Sequence, residues 1–108
     1  MIDETLAVSK RIVNSRTVQD ILCTVQEEVG ELATEVRIKY GQSYKEPGKD
    51  GIQGEAVDAI AALLDLIYID NPAVTKEEII LNLNVKLAKW ELSESAHALG
   101  IKQSELDV

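Results

Sequence analysis

The chain has 108 residues, 45% of them hydrophobic, and carries 11 basic against 19 acidic side chains for a net charge of −8. That length suits one domain over 1–108 with its core across 3–99, and the acidic balance disfavours sequence-independent binding to nucleic acid or anionic lipid. A single cysteine, Cys23, rules out an intramolecular disulfide framework and favours a reducing compartment.

Apolar positions recur at i, i+3 and i+4, Phe is absent and Pro is scarce, so helix is predicted throughout. The first helix is predicted from Asp3, as N-cap, to Val13, ending near Asn14-Ser15. A second follows Thr17 as N-cap and runs to Tyr40, with Val18, Ile21, Leu22, Val25, Val29, Leu32 and Val36 as its apolar stripe and Gly41 as its stop. Cys23 falls within this helix and reads as a small buried residue, since nothing basic lies beside it to stabilise a thiolate.

Gly41 to Asp50 holds turn residues together with Lys45 and Lys49, an exposed connection that also suits a lid over a substrate. Asp50 with Gln53 forms a capping-box pattern for a third helix from Ile52 to Asp70, closed by Asn71-Pro72. Thr75 with Glu78 opens a fourth, which reaches Leu99 with Gly100 as its stop; Ile79, Ile80, Leu83, Leu87 and Trp90 form its expected core face. Residues 101–108 read as a tail. The third helix is apolar on most of its circumference, which points to a homo-oligomer, dimer or tetramer, covering it.

The N-terminal Met-Ile-Asp-Glu lacks the basic and apolar regions of a secretory signal. The longest apolar run, Ala59 to Ile69, is broken by Asp65 and too short to span a bilayer, so no membrane association and a cytoplasmic location are expected.

Chemistry concentrates in two acidic pairs, Glu28/Glu31 and Glu55/Asp58. Residues three apart on a helix differ by only about 60° around the axis, so each pair projects to one side. Glu35 and Asp65 extend the two rows along the flanks of the apolar stripes, while Glu27 points away from Glu28. No lysine follows these carboxylates at i+4, as it would on an ordinary solvated face. Converging carboxylates call for a hard divalent cation such as Mg²⁺, although spacing alone suits an acidic helix surface equally well. Asn82, Lys86 and Lys89 form a polar stripe on the fourth helix, suited to phosphate oxygens or simply to solvent near a helix C-terminus. Glu94-Ser95-Ala96-His97 has the Glu-x-x-His spacing of di-iron bundles, but with one histidine in the chain a surface role fits it better.

The run Glu27-Glu28-Val29-Gly30-Glu31, followed by Glu55-Ala56-Val57-Asp58, resembles the Glu-Glu-x-x-Glu … Glu-x-x-Asp signature of the all-α nucleoside triphosphate pyrophosphohydrolases, the superfamily of MazG-like proteins and dimeric dUTPases. The resemblance extends through Asn82, Lys86, Lys89 and Trp90-Glu91, covering Val18 to Glu91. It implies a four-helix MazG-like bundle, assembled as a homo-oligomer, that hydrolyses (deoxy)nucleoside triphosphates to monophosphate and pyrophosphate. It further implies Mg²⁺, with Mn²⁺ as a substitute, on Glu28, Glu31, Glu55 and Asp58. Glu27 would then hold a water or act as general base beside Glu28 and Glu31, and Asn82, Lys86 and Lys89 would neutralise the triphosphate. Asp58 is followed by Ala59-Ile60-Ala61-Ala62, where many relatives place further polar residues, and no residue that selects a base is legible. The competing expectations are a helical interaction or regulatory module without activity, and a hydrolase that removes only the terminal phosphate.

Overall fold

The structure, a computed structural model, describes residues 1–12, 15–102 and 104. Among them are four α-helices and no strand: α1 (Ile2–Arg11), α2 (Val18–Lys39), α3 (Gly51–Asp70) and α4 (Lys76–Ala98). The all-helical expectation holds, and no helix is long and apolar enough to cross a membrane. The chain divides into two compact units, Met1–Ala73 and Val74–Val108, each taken by itself.

The helix ends follow local chemistry. Thr17 caps α2 through a reciprocal pair: its hydroxyl accepts the Asp20 N–H at 3.1 Å while the Asp20 carboxylate accepts the Thr17 N–H at 2.9 Å. That acceptance holds the Asp20 carboxyl below its usual range. At its other end the Gln42 and Gly41 N–H groups donate back to the Arg37 and Ile38 carbonyls, closing the helix as the glycine implied. In the second unit the Thr75 hydroxyl accepts the Glu78 N–H, and Gly100 and Ile101 close α4 by the same turn onto His97 and Ala96.

Two caps differ from expectation. Met1, rather than Asp3, is the N-cap of α1, so Asp3 and Glu4 lie in its first turn, where their charge still favours the helix dipole. Asp50 is the N-cap of α3 but makes no side-chain capping bond, because its backbone is already helical, at φ −91° and ψ −22°, rather than extended. α1 ends at Arg11 with Ile12 extended as its C-cap, short of the expected Val13, while Val13 and Asn14 themselves lie outside the described residues, as do 103 and 105–108 of the expected tail.

Within the first unit α3 packs against both α2 and α1. The pairs that meet between α2 and α3 show them antiparallel: Glu31 approaches Glu55, and Ile38 lines one cavity with Ile52. Ile21 and Val25 of α2 and Ala59 and Leu64 of α3 are buried, but among the described residues no side chain is completely enclosed. The single apolar stripe expected of α2 therefore splits. Ile21 and Val25 face inward, whereas Leu22, Val29 and Val36 form an exposed row at seven-residue spacing. Cys23, two residues beyond Ile21 and so on the opposite side, is exposed rather than buried. On α3, Val57, Ile60, Leu63 and Ile67 are likewise exposed, as are Leu83, Leu87 and Trp90 on the expected core face of α4.

A polar lock ties α3 to the segment that follows α1. The Arg16 guanidinium donates to both oxygens of Asp65, at 2.7 and 3.1 Å, and to the carbonyls of Ser9 and Ile12 at 3.1 and 3.3 Å. The ion pair is largely withdrawn from solvent and its fork geometry is the strong form of the interaction. Arg16 therefore holds the Asp65 carboxyl below its ordinary range. Because ionised Asp65 is the form that binds, its contribution is present at neutral pH and is lost as pH falls through the depressed value. Asp65→Asn is expected to lower the unfolding free energy by about 1–3 kcal/mol at pH 7 and by much less in acid. Denaturant titration at several pH values checks this; a loss independent of pH would show that the charge is immaterial.

Candidate metal centre

Antiparallel packing brings the acidic pair of α2 onto that of α3. Oxygens of Glu28, Glu31 and Glu55 lie within 4.8 Å of one another, and a second trio, Asp50, Glu55 and Asp58, shares Glu55 at the same spacing. Oxygens on opposite sides of one Mg²⁺ are about 4.2 Å apart, so each trio has the dimensions of a hard-cation site. Glu28 and Glu55 are half-buried, and each has one carboxylate oxygen shut off from solvent with no hydrogen-bond donor. A buried unpartnered carboxylate oxygen is costly, and a cation is one partner that its chemistry could take. The donor set, all carboxylate oxygen, suits Mg²⁺ or Mn²⁺ rather than a soft metal.

The electrostatics agree. Desolvation, followed by repulsion from Glu31, Asp58 and Glu27, pushes the Glu28 carboxyl upward. Desolvation also raises Glu55 from its ordinary 4.5 to about 6, helped by a hydrogen bond to Glu31 and by the charges of Glu31, Asp58 and Glu28. Without a cation, Glu28 and Glu55 therefore bind a proton more readily than an ordinary glutamate does.

The other two acids of the same rows are partnered and stand outside this cluster. Asp65 is consumed by Arg16, as described above. Glu35, one turn beyond Glu31, is buried and accepts the Gly48 N–H at 2.7 Å, tying the 41–50 connection down onto α2. The expectation that Glu35 and Asp65 simply continue the acidic rows is thus corrected: both are structural, and the unsatisfied oxygens are confined to the middle of the helix pair.

The structure unites Glu28, Glu31, Glu55 and Asp58 and adds Asp50, which the sequence offered only as a cap. Gly51, at φ +65°, turns the chain through a conformation that side chains resist. Gly54 leaves room for the Asp50 side chain on the first turn, since a Cβ there would sit 2.4 Å from the Asp50 Cβ. The glycines at 51 and 54 were the only sequence signal for this placement. Glu27 is exposed and belongs to neither trio, although its charge reaches Glu28. Asn82, Lys86 and Lys89 are exposed on α4, in the second unit. His97 is exposed there too and joins neither carboxylate trio.

Glu55→Gln is expected to raise the melting temperature of the protein in chelator at pH 7.5. The native carboxyl titrates near 6 and the unfolded one near 4.5, so stability falls as pH rises between those values, a loss that glutamine does not suffer. Thermal melts from pH 4 to 8 should show the two proteins converging below about pH 4.5. An unchanged or lowered melting temperature at pH 7.5 would mean that Glu55 is not held against repulsion.

No protein family, no curated protein and no solved structure matches this chain, so the case for the site rests on its own chemistry: five converging carboxylates, two of them with a buried oxygen that nothing in the fold satisfies.

Proposed function

We propose that this chain is a Mg²⁺-dependent nucleoside triphosphate pyrophosphohydrolase of MazG-like type, acting on (deoxy)nucleoside triphosphates in nucleotide-pool house-cleaning. The observation that carries the proposal is the pair of unpartnered buried oxygens, Glu28 Oε2 and Glu55 Oε2, within the carboxylate cluster. The resemblance of Glu27-Glu28-x-x-Glu31 and Glu55-x-x-Asp58 to the superfamily's signature supports the same conclusion.

In this proposal Glu28, Glu31, Glu55 and Asp58 hold the cation, with Asp50 beside Glu55 and Asp58. A bound divalent cation would neutralise phosphate charge and make coordinated water more acidic. Glu27, exposed at the edge of the cluster, takes the proton of the attacking water. The water oxygen bonds to the α-phosphorus, the bridging bond to the β-phosphate breaks, and pyrophosphate leaves with the electron pair. No covalent nucleophile is required, and positioning with electrostatics supplies the rate.

Incubation with a panel of deoxynucleoside triphosphates and Mg²⁺ is expected to release pyrophosphate. Glu31→Gln and Asp58→Asn should each lower kcat/KM by about 100-fold or more. Release unaffected by either change would remove the site assignment, and orthophosphate as sole product would indicate a terminal phosphatase instead.

The exposed rows Leu22/Val29/Val36 on α2 and Val57/Ile60/Ile67 on α3 favour a second feature, assembly with another copy of the chain. We expect sedimentation to give a dimer or tetramer and Ile60→Asp to shift it toward monomer. A wild-type monomer in sedimentation would count against assembly. The same rows also suit a regulatory module without activity; calorimetry that finds no Mg²⁺ or Mn²⁺ binding at millimolar concentration, with a tight protein partner, would favour that alternative.

A further inference from the structure

Within the first unit, a cavity of about 300 Å³ opens beside the carboxylates, lined by Glu35, Ile38, Lys39, Pro47, Gly51 and Ile52. Its size lies at the lower end of small-ligand sites, and its walls are mainly apolar, as such sites are. It adjoins the metal centre along both helices. Glu35 is one helical turn, about 5.4 Å, beyond Glu31. On the other side Gly51 directly follows Asp50, and Ile52 precedes Glu55 by less than one turn. The Gly48 N–H bond to Glu35 holds the connection that brings Pro47 to the wall.

We propose that this cavity is the subsite for the heteroaromatic base of the nucleotide. This rests on the pyrophosphohydrolase proposal for the phosphates but makes a separate claim about where the base goes. A base is flat, with apolar faces and a polar rim. Ile38, Pro47 and Ile52 supply apolar walls for its faces, while Lys39 and the Glu35 oxygen not taken by the Gly48 N–H are the polar groups at its edge. The one-turn offset between cavity and carboxylates is a gap that a sugar bridges, which places the α-phosphate toward Glu31 and Asp50. Base recognition then comes from the α2–α3 junction rather than from the alanine-rich stretch after Asp58, where the sequence offered nothing to contact a base.

The test separates base binding from hydrolysis. Methyl-labelled protein titrated with the four common deoxynucleoside monophosphates is expected to show shifts at Ile38 and Ile52, whereas deoxyribose 5-phosphate, which lacks the base, should leave those methyls unmoved. Ile52→Trp, which fills the cavity, should weaken monophosphate binding about tenfold or more while Mg²⁺ affinity measured by calorimetry is retained. If that variant loses its helical circular dichroism, Ile38→Ala removes a wall without adding bulk and should weaken the same titration several-fold. Unmoved Ile38 and Ile52 methyls, equal shifts with the baseless phosphate, or unchanged affinity in a folded variant would overturn the base subsite. Failure of the hydrolase proposal reads out separately, as absence of pyrophosphate release from wild-type protein that still binds the monophosphates.

Discussion

The carboxylate cluster and the cavity of the first unit both depend on one packing relation, the antiparallel pairing of α2 with α3. It sets Glu28 and Glu31 against Glu55 and Asp58, with Asp50 at the edge, in a space where the desolvated carboxyls of Glu28 and Glu55 rise above their ordinary values. Bringing like charges together around two half-buried carboxyls opposes folding, and a proton or a partner of opposite charge relieves that cost. The neighbouring acids show how the fold treats carboxylates meant for structure. Asp65 receives a guanidinium fork and Glu35 a backbone N–H. Between these satisfied ends, Glu28 Oε2 and Glu55 Oε2 receive nothing, and this contrast along the same rows marks the cluster as a candidate cation site.

The α2–α3 junction does more than position acids. The same turn that brings Asp50 onto α3, through Gly51 and the space left at Gly54, also forms the cavity walled by Ile38, Pro47 and Ile52. Asp50 forgoes capping in this arrangement, so the first turn of α3 loses a side-chain bond while the cluster gains a carboxylate. A helix terminus with weaker local support, beside unsatisfied charge and an apolar hollow, conforms to the general pattern in which binding sites depart from locally optimal structure.

Two helices packed on a short third do not enclose the apolar surface of the first unit. Leu22, Val29 and Val36 remain exposed on α2 while Ile21 and Val25 turn inward, because one neighbouring helix covers only part of a cylinder. The sequence periodicity counted all of these as one stripe. Their division into a covered row and an open row depends on which helix lies alongside, and periodicity carries no such information.

By itself the sequence determined the four helices, the Thr17 and Thr75 caps, the Gly41 and Gly100 stops and the four carboxylates at three-residue spacing. These follow from interactions within about one helical turn, which a linear pattern records directly. Tertiary structure alone decided that Glu35 and Asp65 would find hydrogen-bond partners, that Asp50 would join the cluster and that Cys23 would face outward. Arg16 and Asp65 are 49 residues apart, and Glu35 and Gly48 are 13 apart. Whether a carboxylate meets a guanidinium, a backbone N–H or only other carboxylates is settled by which distant segment packs beside it.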